Sequence, residues 1–110
     1  MGSIAIKLVP DRLHNPDLDL RYIIPDRISE LTGGRVEDNG YDYIDDGGGE
    51  GNDSMVIFMR SENPAEDVRL VLDALRRETF LDNDIHEAAV VATCEEDGRD
   101  FADHVIVHPR

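Results

Sequence analysis

The chain has 110 residues, of which 40% are hydrophobic and 33% charged, and its formal net charge is −14. This length and apolar content suit one domain with a modest core, so we predict a single α+β domain over residues 1–110. No apolar run approaches the length of a membrane-spanning helix. Because so acidic a surface repels phosphate groups, we expect neither nucleic-acid nor membrane binding.

The first ten residues, MGSIAIKLVP, lack the basic region and following apolar segment of a secretion signal. Cys94 is the only cysteine, so it cannot form an internal disulfide or a multi-thiolate metal site. Both features favour a reducing, cytoplasmic location.

The acidity has two explanations, and both stay open at this stage. Aspartate and glutamate total 25 against 11 lysine and arginine residues, and Lys7 is the only lysine. Such a surface attracts a basic partner and speeds the encounter. A salty cytoplasm selects the same composition.

The first third of the chain predicts a strand and then a helix. Residues 4–9, IAIKLV, alternate in the manner of a strand. Asn15 and Pro16 have the form of an N-cap and a first helical residue. Because Pro25 interrupts the apolar spacing that follows, we predict either a kinked helix over 16–32 or a short turn and a helix from residue 25.

The segment that follows this helix contains a pair of glycines and an Asn-Gly step. Gly33 and Gly34 indicate the end of the helix. Asn39 and Gly40 predict a hairpin turn or a bulge. Tyr and Asp alternate after them, so residues 41–44 are predicted to form a strand whose tyrosines share one face.

The second half carries clearer signals. Residues 55–60, MVIFMR, predict a strand. A helix is predicted to follow, with Asn63 as its cap, Pro64 as its first residue and Glu66 completing a capping box. Further strands are predicted over residues 87–94 and 104–108.

The predicted elements run β-α-β-β-α-β with an extra C-terminal strand. This order is that of the ferredoxin-like α+β sandwich, in which two helices cover one face of an antiparallel sheet. The resemblance lies in element order alone, and fold by itself does not imply function.

Residues 48–56, GGEGNDSMV, match a nonapeptide that binds calcium in repeated copies. Only one copy is present, so we interpret residues 46–53 as a flexible, acidic, glycine-rich loop. We predict no metal and no cofactor. If a hard cation were bound, its weak candidate ligands would be Asp45, Asp46, Glu50 and Asp53.

No lysine or arginine occurs between Val36 and Met59, whereas acids are frequent there. We predict that this stretch binds a partner, through carboxylates for attraction and tyrosines as anchors. The predicted partner-binding residues are Glu37, Asp38, Tyr41, Asp42, Tyr43, Asp45 and Asp46.

No catalytic motif is found, and the pair His104 and His108, four residues apart in a predicted strand, is too widely spaced for one metal. We therefore predict a non-catalytic protein-binding module, such as an inhibitor or immunity-type partner of a basic protein. The alternative is a small-molecule or metal-binding regulatory domain that acts as a homo-oligomer, in which the partner is a second copy of the chain.

Overall fold

The computed structural model describes residues 2–15, 17–44, 54–96 and 100–109. Across these ranges the protein has a five-stranded antiparallel open sheet and three α-helices, so the predicted α+β class is confirmed. The elements are β1 (Gly2–Leu8), α1 (Leu20–Leu31), β2 (Val36–Ile44), β3 (Ser54–Ser61), α2 (Pro64–Arg77), α3 (Ile85–Ala88), β4 (Ala89–Cys94) and β5 (Val105–His108), with single 3-10 turns at Pro10–Arg12 and Phe101–Asp103. None of the helices in the described ranges is long and apolar enough to cross a membrane.

The strands lie in the order β2-β3-β1-β4-β5, so β1 is central and β2 and β5 form the two edges. In the register, Ile6 of β1 lies opposite Ile57 of β3 and Val91 of β4. Because side chains alternate between faces, these three residues point to the same side of the sheet.

Both long helices cover that side. Ile4, Ile6 and Leu8 of β1 are buried in one apolar cluster with residues of both helices. The helical members are Leu20, Ile24 and Ile28 of α1 and Val68, Val71, Ala74 and Leu75 of α2. A smaller buried cluster, Ala5, Val56 and Phe58, lies on the opposite face of the sheet with Phe101 packed against it.

The start of α1 differs from both predicted alternatives, because the helix begins at Leu20 and runs through Pro25 without ending there. Asn15 does not cap it. The Asn15 amide donates to Asn83 Oδ1 at 2.7 Å, and Asn83 Nδ2 donates to the Asn15 carbonyl at 2.7 Å. Asn83 is fully buried, so this tertiary contact outcompetes the local cap. Pro25 is also buried, and its packing offsets the hydrogen bond that it cannot donate.

The glycine signals are confirmed. Gly33 and Gly34 have φ values of 64° and 84°, and the Gly34 amide closes the helix end on the Ser29 carbonyl at 2.9 Å. Gly40 has φ 93°, and the register of β2 against β3 shifts between Asp38 and Tyr41. Of the two alternatives for Asn39-Gly40, the bulge is therefore correct, and β2 is one strand that is longer than the predicted 41–44.

The predicted start of the second helix at Pro64 is confirmed by α2, but its capping box is not. The Asn63 side chain makes no bond to the helix backbone; its Nδ2 donates to Glu66 Oε2 at 3.0 Å. Ser61 takes part instead, because its hydroxyl accepts from the Asn63 amide at 3.1 Å.

The strand predicted over 87–94 begins later, at Ala89. Glu87 and Ala88 belong to the short helix α3, which the sequence analysis did not predict. The Asp84 carboxylate accepts from the Glu87 amide at 3.3 Å and so caps this single turn. The strand predicted over 104–108 begins at Val105, because His104 ends the preceding 3-10 turn.

A buried carboxylate joins the start of α2 to the sheet. Asp67 is 3% exposed, and it accepts from the Ser61 hydroxyl at 2.6 Å and from Arg35 at 2.8 Å. The Arg35 side chain is 57% exposed, so its ion pair with Asp67 is largely screened by solvent.

We expect Asp67→Ala to lower the free energy of unfolding by about 2 kcal/mol, because it leaves the buried Ser61 hydroxyl without its acceptor. Arg35→Ala, the matched control, is expected to cost less than about 1 kcal/mol, since water can replace the exposed guanidinium. Urea unfolding of both variants measures the difference. Equal losses would contradict this account.

Candidate functional site

The predicted partner-binding residues that the structure describes all lie on β2, an edge strand whose residues 37–43 are all exposed. The register places Glu37 and Asp42 on the face opposite the helices, and Asp38, Tyr41 and Tyr43 on the helix side. Both faces of an edge strand are accessible from its open side. Asp45 and Asp46, and the candidate ligands Glu50 and Asp53, lie outside the described residues.

Only some of these acids are free of a cationic partner. Arg60 on β3 lies directly opposite Glu37 and donates to its Oε2 at 2.8 Å. Both side chains are about half exposed, so this ion pair adds little stability but partly neutralises Glu37. The uncompensated charge on the described part of β2 therefore comes mainly from Asp38 and Asp42.

We infer that those two aspartates also protect the edge of the sheet. Asp38 Oδ1 accepts from the Gly40 amide at 3.0 Å, and Asp42 Oδ1 accepts from the Tyr43 amide at 2.8 Å. Open amide groups on an edge strand would otherwise be available to pair with another chain. The carboxylates thus occupy backbone donors and place negative charge at the same positions.

Three exposed tyrosines meet where α1 crosses β2. Tyr22 and Tyr41 pack edge to face with ring centroids 6.2 Å apart, and Tyr41 and Tyr43 do so at 6.0 Å. Their exposed fractions are 48%, 40% and 40%. We refer to Tyr22, Tyr41 and Tyr43 as the tyrosine cluster.

Arg21 extends from α1 into the tyrosine cluster. Its guanidinium carbon lies 4.8 Å from the Tyr22 ring centroid and 4.9 Å from that of Tyr41, and Nη1 donates to Tyr43 Oη at 3.4 Å. The hydrogen bond to Tyr43, and after it the interactions with the Tyr22 and Tyr41 phenol groups, raise the pKa of Arg21 above its ordinary value. The cluster therefore holds a cation, in the geometry of cation–π contacts.

A polar pocket of about 590 Å³ opens on another part of the surface, between the end of α1 and the start of α2. Two arginines and four acids contribute to its wall: Arg35, Arg60, Glu37, Glu62, Glu66 and Asp67. The two arginines are already paired with Asp67 and Glu37. The unpaired charge of the wall therefore comes from Glu62 and Glu66 and is negative.

The histidines serve packing and hydrogen bonding. His104 Nδ1 lies 2.9 Å from the Asp100 carbonyl, which only accepts, so Nδ1 carries the proton and Nε2 accepts from Ser3 Oγ at 2.9 Å. Both His104 and Ser3 are buried, which denies a substrate access to this pair. The His108 ring packs against the His86 ring at a tilt of 43°, with the centroids 4.3 Å apart, so His104 and His108 have separate partners.

Metal ligands do not converge in the described ranges: no group of three or more His, Cys, Asp or Glu side chains there is placed to hold an ion. Cys94 is half-buried and unbonded to any other cysteine. In the same ranges, the geometry thus offers an exposed acidic and aromatic edge and a polar pocket.

Sequence reasoning missed Arg21 and Asp67. Nothing local places Arg21 over Tyr41, which is twenty positions away and on another element. Asp67 did carry a signal, because it falls on the buried stripe of α2 together with Val71 and Ala74. An acid on an apolar helical stripe indicates a buried carboxylate with a partner.

No protein-family model matches the chain, and no curated protein or solved structure is significantly similar to it. The function is therefore inferred from the chain's own geometry.

The protection of the β2 edge can be tested with two variants of equal charge. Asp42→Ala removes the acceptor of the Tyr43 amide, whereas Asp42→Asn keeps an acceptor oxygen at the same place. We expect the alanine variant to self-associate a few-fold more strongly as concentration rises, because it exposes an edge donor. Sedimentation velocity over a concentration series compares them, and identical behaviour would show that Asp42 does not protect the edge.

Proposed function

We propose that this protein is a non-catalytic acidic binding module that engages a basic protein partner along β2, in the manner of an inhibitor or immunity-type protein. The observation that carries the proposal is the continuous exposure of residues 37–43 at a sheet edge, where carboxylates and tyrosines alternate. Tyrosine supplies contact area at low entropic cost, and carboxylates steer a basic partner.

We also propose a cellular location and a fold type for the protein. A cytoplasmic location is supported by the single cysteine, Cys94, which cannot form an internal disulfide. A ferredoxin-like sandwich extended by β5 at one edge is supported by the order of the elements and by both long helices lying on one face. Nuclear Overhauser contacts between Ile4 and Met59, and between Leu8 and Ala89, test that topology experimentally.

The test of binding uses charge variants that keep local hydrogen bonds. Asp38→Asn with Asp42→Asn removes two charges from β2 and leaves an acceptor oxygen for both backbone amides. Asp11→Asn with Asp82→Asn is the matched control, because these exposed residues lie outside β2, α1 and β3. The probe is an arginine-serine repeat peptide, whose association rate is measured at low and physiological ionic strength.

We expect the β2 pair to slow association several-fold and to flatten its salt dependence, because charges near an interface act mainly on the encounter. The control pair should leave the rate close to that of the wild type. Amide shift changes on peptide addition should concentrate on residues 37–43. Equal slowing by both pairs would mean that bulk charge alone attracts the peptide, as a salt-adapted surface would, and would reject the proposal.

The polar pocket favours one second candidate, a regulatory domain that binds a small molecule. Its wall is negative on balance, so a cationic or zwitterionic metabolite suits it best. Titration with a panel of amino acids and polyamines, followed at the Gly33, Gly34 and Ser61 amides, tests it. Saturable changes there, together with no response of β2 to the basic peptide, would favour this candidate over the first.

A further inference from the structure

The tyrosine cluster holds a cation that comes from the chain itself, the guanidinium of Arg21. Rings from two different elements, Tyr22 of α1 and Tyr41 of β2, face the Arg21 guanidinium at nearly equal distances of 4.8 and 4.9 Å. Tyr43 completes the cluster from the next position on the same face of β2. Aromatic side chains arranged in this way recognise cationic groups.

Arg21 itself is held weakly. Its hydrogen bond to the Tyr43 hydroxyl is long at 3.4 Å, and its buried Nε finds no acceptor among the described residues. In the part of the chain that the structure describes, no salt bridge reaches it. Arg27, one and a half turns along α1, contrasts with it, because its Nε donates to Glu78 at 2.6 Å. A buried donor without a partner costs free energy, which makes Arg21 easy to displace.

We propose that the tyrosine cluster binds the guanidinium of an arginine presented by the partner, and that Arg21 fills this place until the partner arrives. This inference rests on the proposed function, because it names the chemistry by which a basic partner is recognised at β2. Displacement exchanges one guanidinium for another between the same rings. It frees the Arg21 Nε to bind water.

Negative charge near the rings supports an incoming cation as the occupant. Asp38 lies on the tyrosine face just before the bulge, whereas Asp42, between Tyr41 and Tyr43 in the sequence, lies on the opposite face of the same strand. The rings themselves are 40–48% exposed, so a side chain from outside can reach them. An anionic group is disfavoured here, because the Arg21 guanidinium already faces two rings and Asp38 places negative charge on the same face of β2.

The most direct test removes the Arg21 side chain from the tyrosine cluster. Arg21→Ala empties the cluster, and alanine suits its helical position. Arg69→Ala is the matched control, because it removes the same charge from an exposed position on α2. The probe is N-acetyl-arginine amide, and the neutral control ligand is N-acetyl-citrulline amide, which has nearly the same shape. Binding is followed by the tyrosine ring resonances.

We expect Arg21→Ala to bind the arginine probe about tenfold more tightly than the wild type, the effect of one moderate cation–π contact. Arg69→Ala should match the wild type, and the citrulline probe should gain nothing in any variant. An equal gain in both alanine variants, or equal binding of the two probes, would overturn the proposal.

A second pair of variants tests whether the aromatic rings cause the gain in affinity for the arginine probe. In the Arg21→Ala background, Tyr41→Leu should abolish the tenfold gain, whereas Tyr41→Phe should keep it, because phenylalanine retains the ring face. If Tyr41→Leu unfolds, as circular dichroism would show, Tyr22→Leu and Tyr22→Phe serve the same purpose on the exposed side of α1. Loss of the gain with phenylalanine would contradict a cation–π site.

The outcome separates this inference from the proposed function. If Arg21→Ala gains no affinity while the Asp38 and Asp42 variant still slows the peptide, β2 binds basic partners without the cluster. If Arg21→Ala gains affinity while the two charge pairs behave alike, the cluster binds guanidinium but β2 charge does not steer a partner.

Discussion

The burial of one face of β1 beneath two helices holds the rest of the structure together. Ile4, Ile6 and Leu8 are at most 1% exposed, and each contributes about 2 kcal/mol through removal of its side chain from water. Because β1 pairs with β3 on one side and with β4 on the other, its burial fixes the register of both neighbours. Both α1 and α2 pack against the same buried face of β1. The positions of the edge strands β2 and β5 follow from their pairing with β3 and β4.

The position of β2 follows from that arrangement and explains its unusual composition. Its inner side pairs with β3 except at the bulge, while its outer side faces solvent, so a regular apolar strand here would invite pairing with other chains. The bulge at Gly40 and the two aspartates that accept from the Gly40 and Tyr43 amides reduce that hazard. The aspartates that protect the edge also make it acidic, and the neighbouring tyrosines make it aromatic. Such an edge is better suited to recognition through its side chains than to pairing with an added strand.

Charge is distributed unequally between the core contacts and the surface. The described ion pairs involve Arg27, Arg35, Arg60, Arg76 and Arg77, and each is at least partly exposed. With 25 acids against 11 lysine and arginine residues, most carboxylates have no cationic partner to meet. Surface pairs of this kind contribute little stability, so the fold depends on its apolar layer and tolerates the repulsion of its surface.

Local signals in the sequence determined the α+β class, the start of α2, the glycine end of α1 and an irregularity at Gly40, because each depends on residues within one or two turns of one another. The acidic character of β2 was equally visible. Contacts between distant residues decided the rest. Asn83 binds Asn15 and moves the start of α1 to Leu20, and Asp84 caps a turn where strand propensity suggested only β4.

The candidate site divides in the same way. Tyr41, Tyr43 and the neighbouring acids could be selected from the sequence, since they alternate along one strand. Arg21 could not, because its place depends on how α1 crosses β2, and that crossing is set by which apolar side chains of α1 meet Ile57 and Met59 in the core. Periodicity shows which face of an element is buried, but only packing in three dimensions decides which exposed side chains become neighbours.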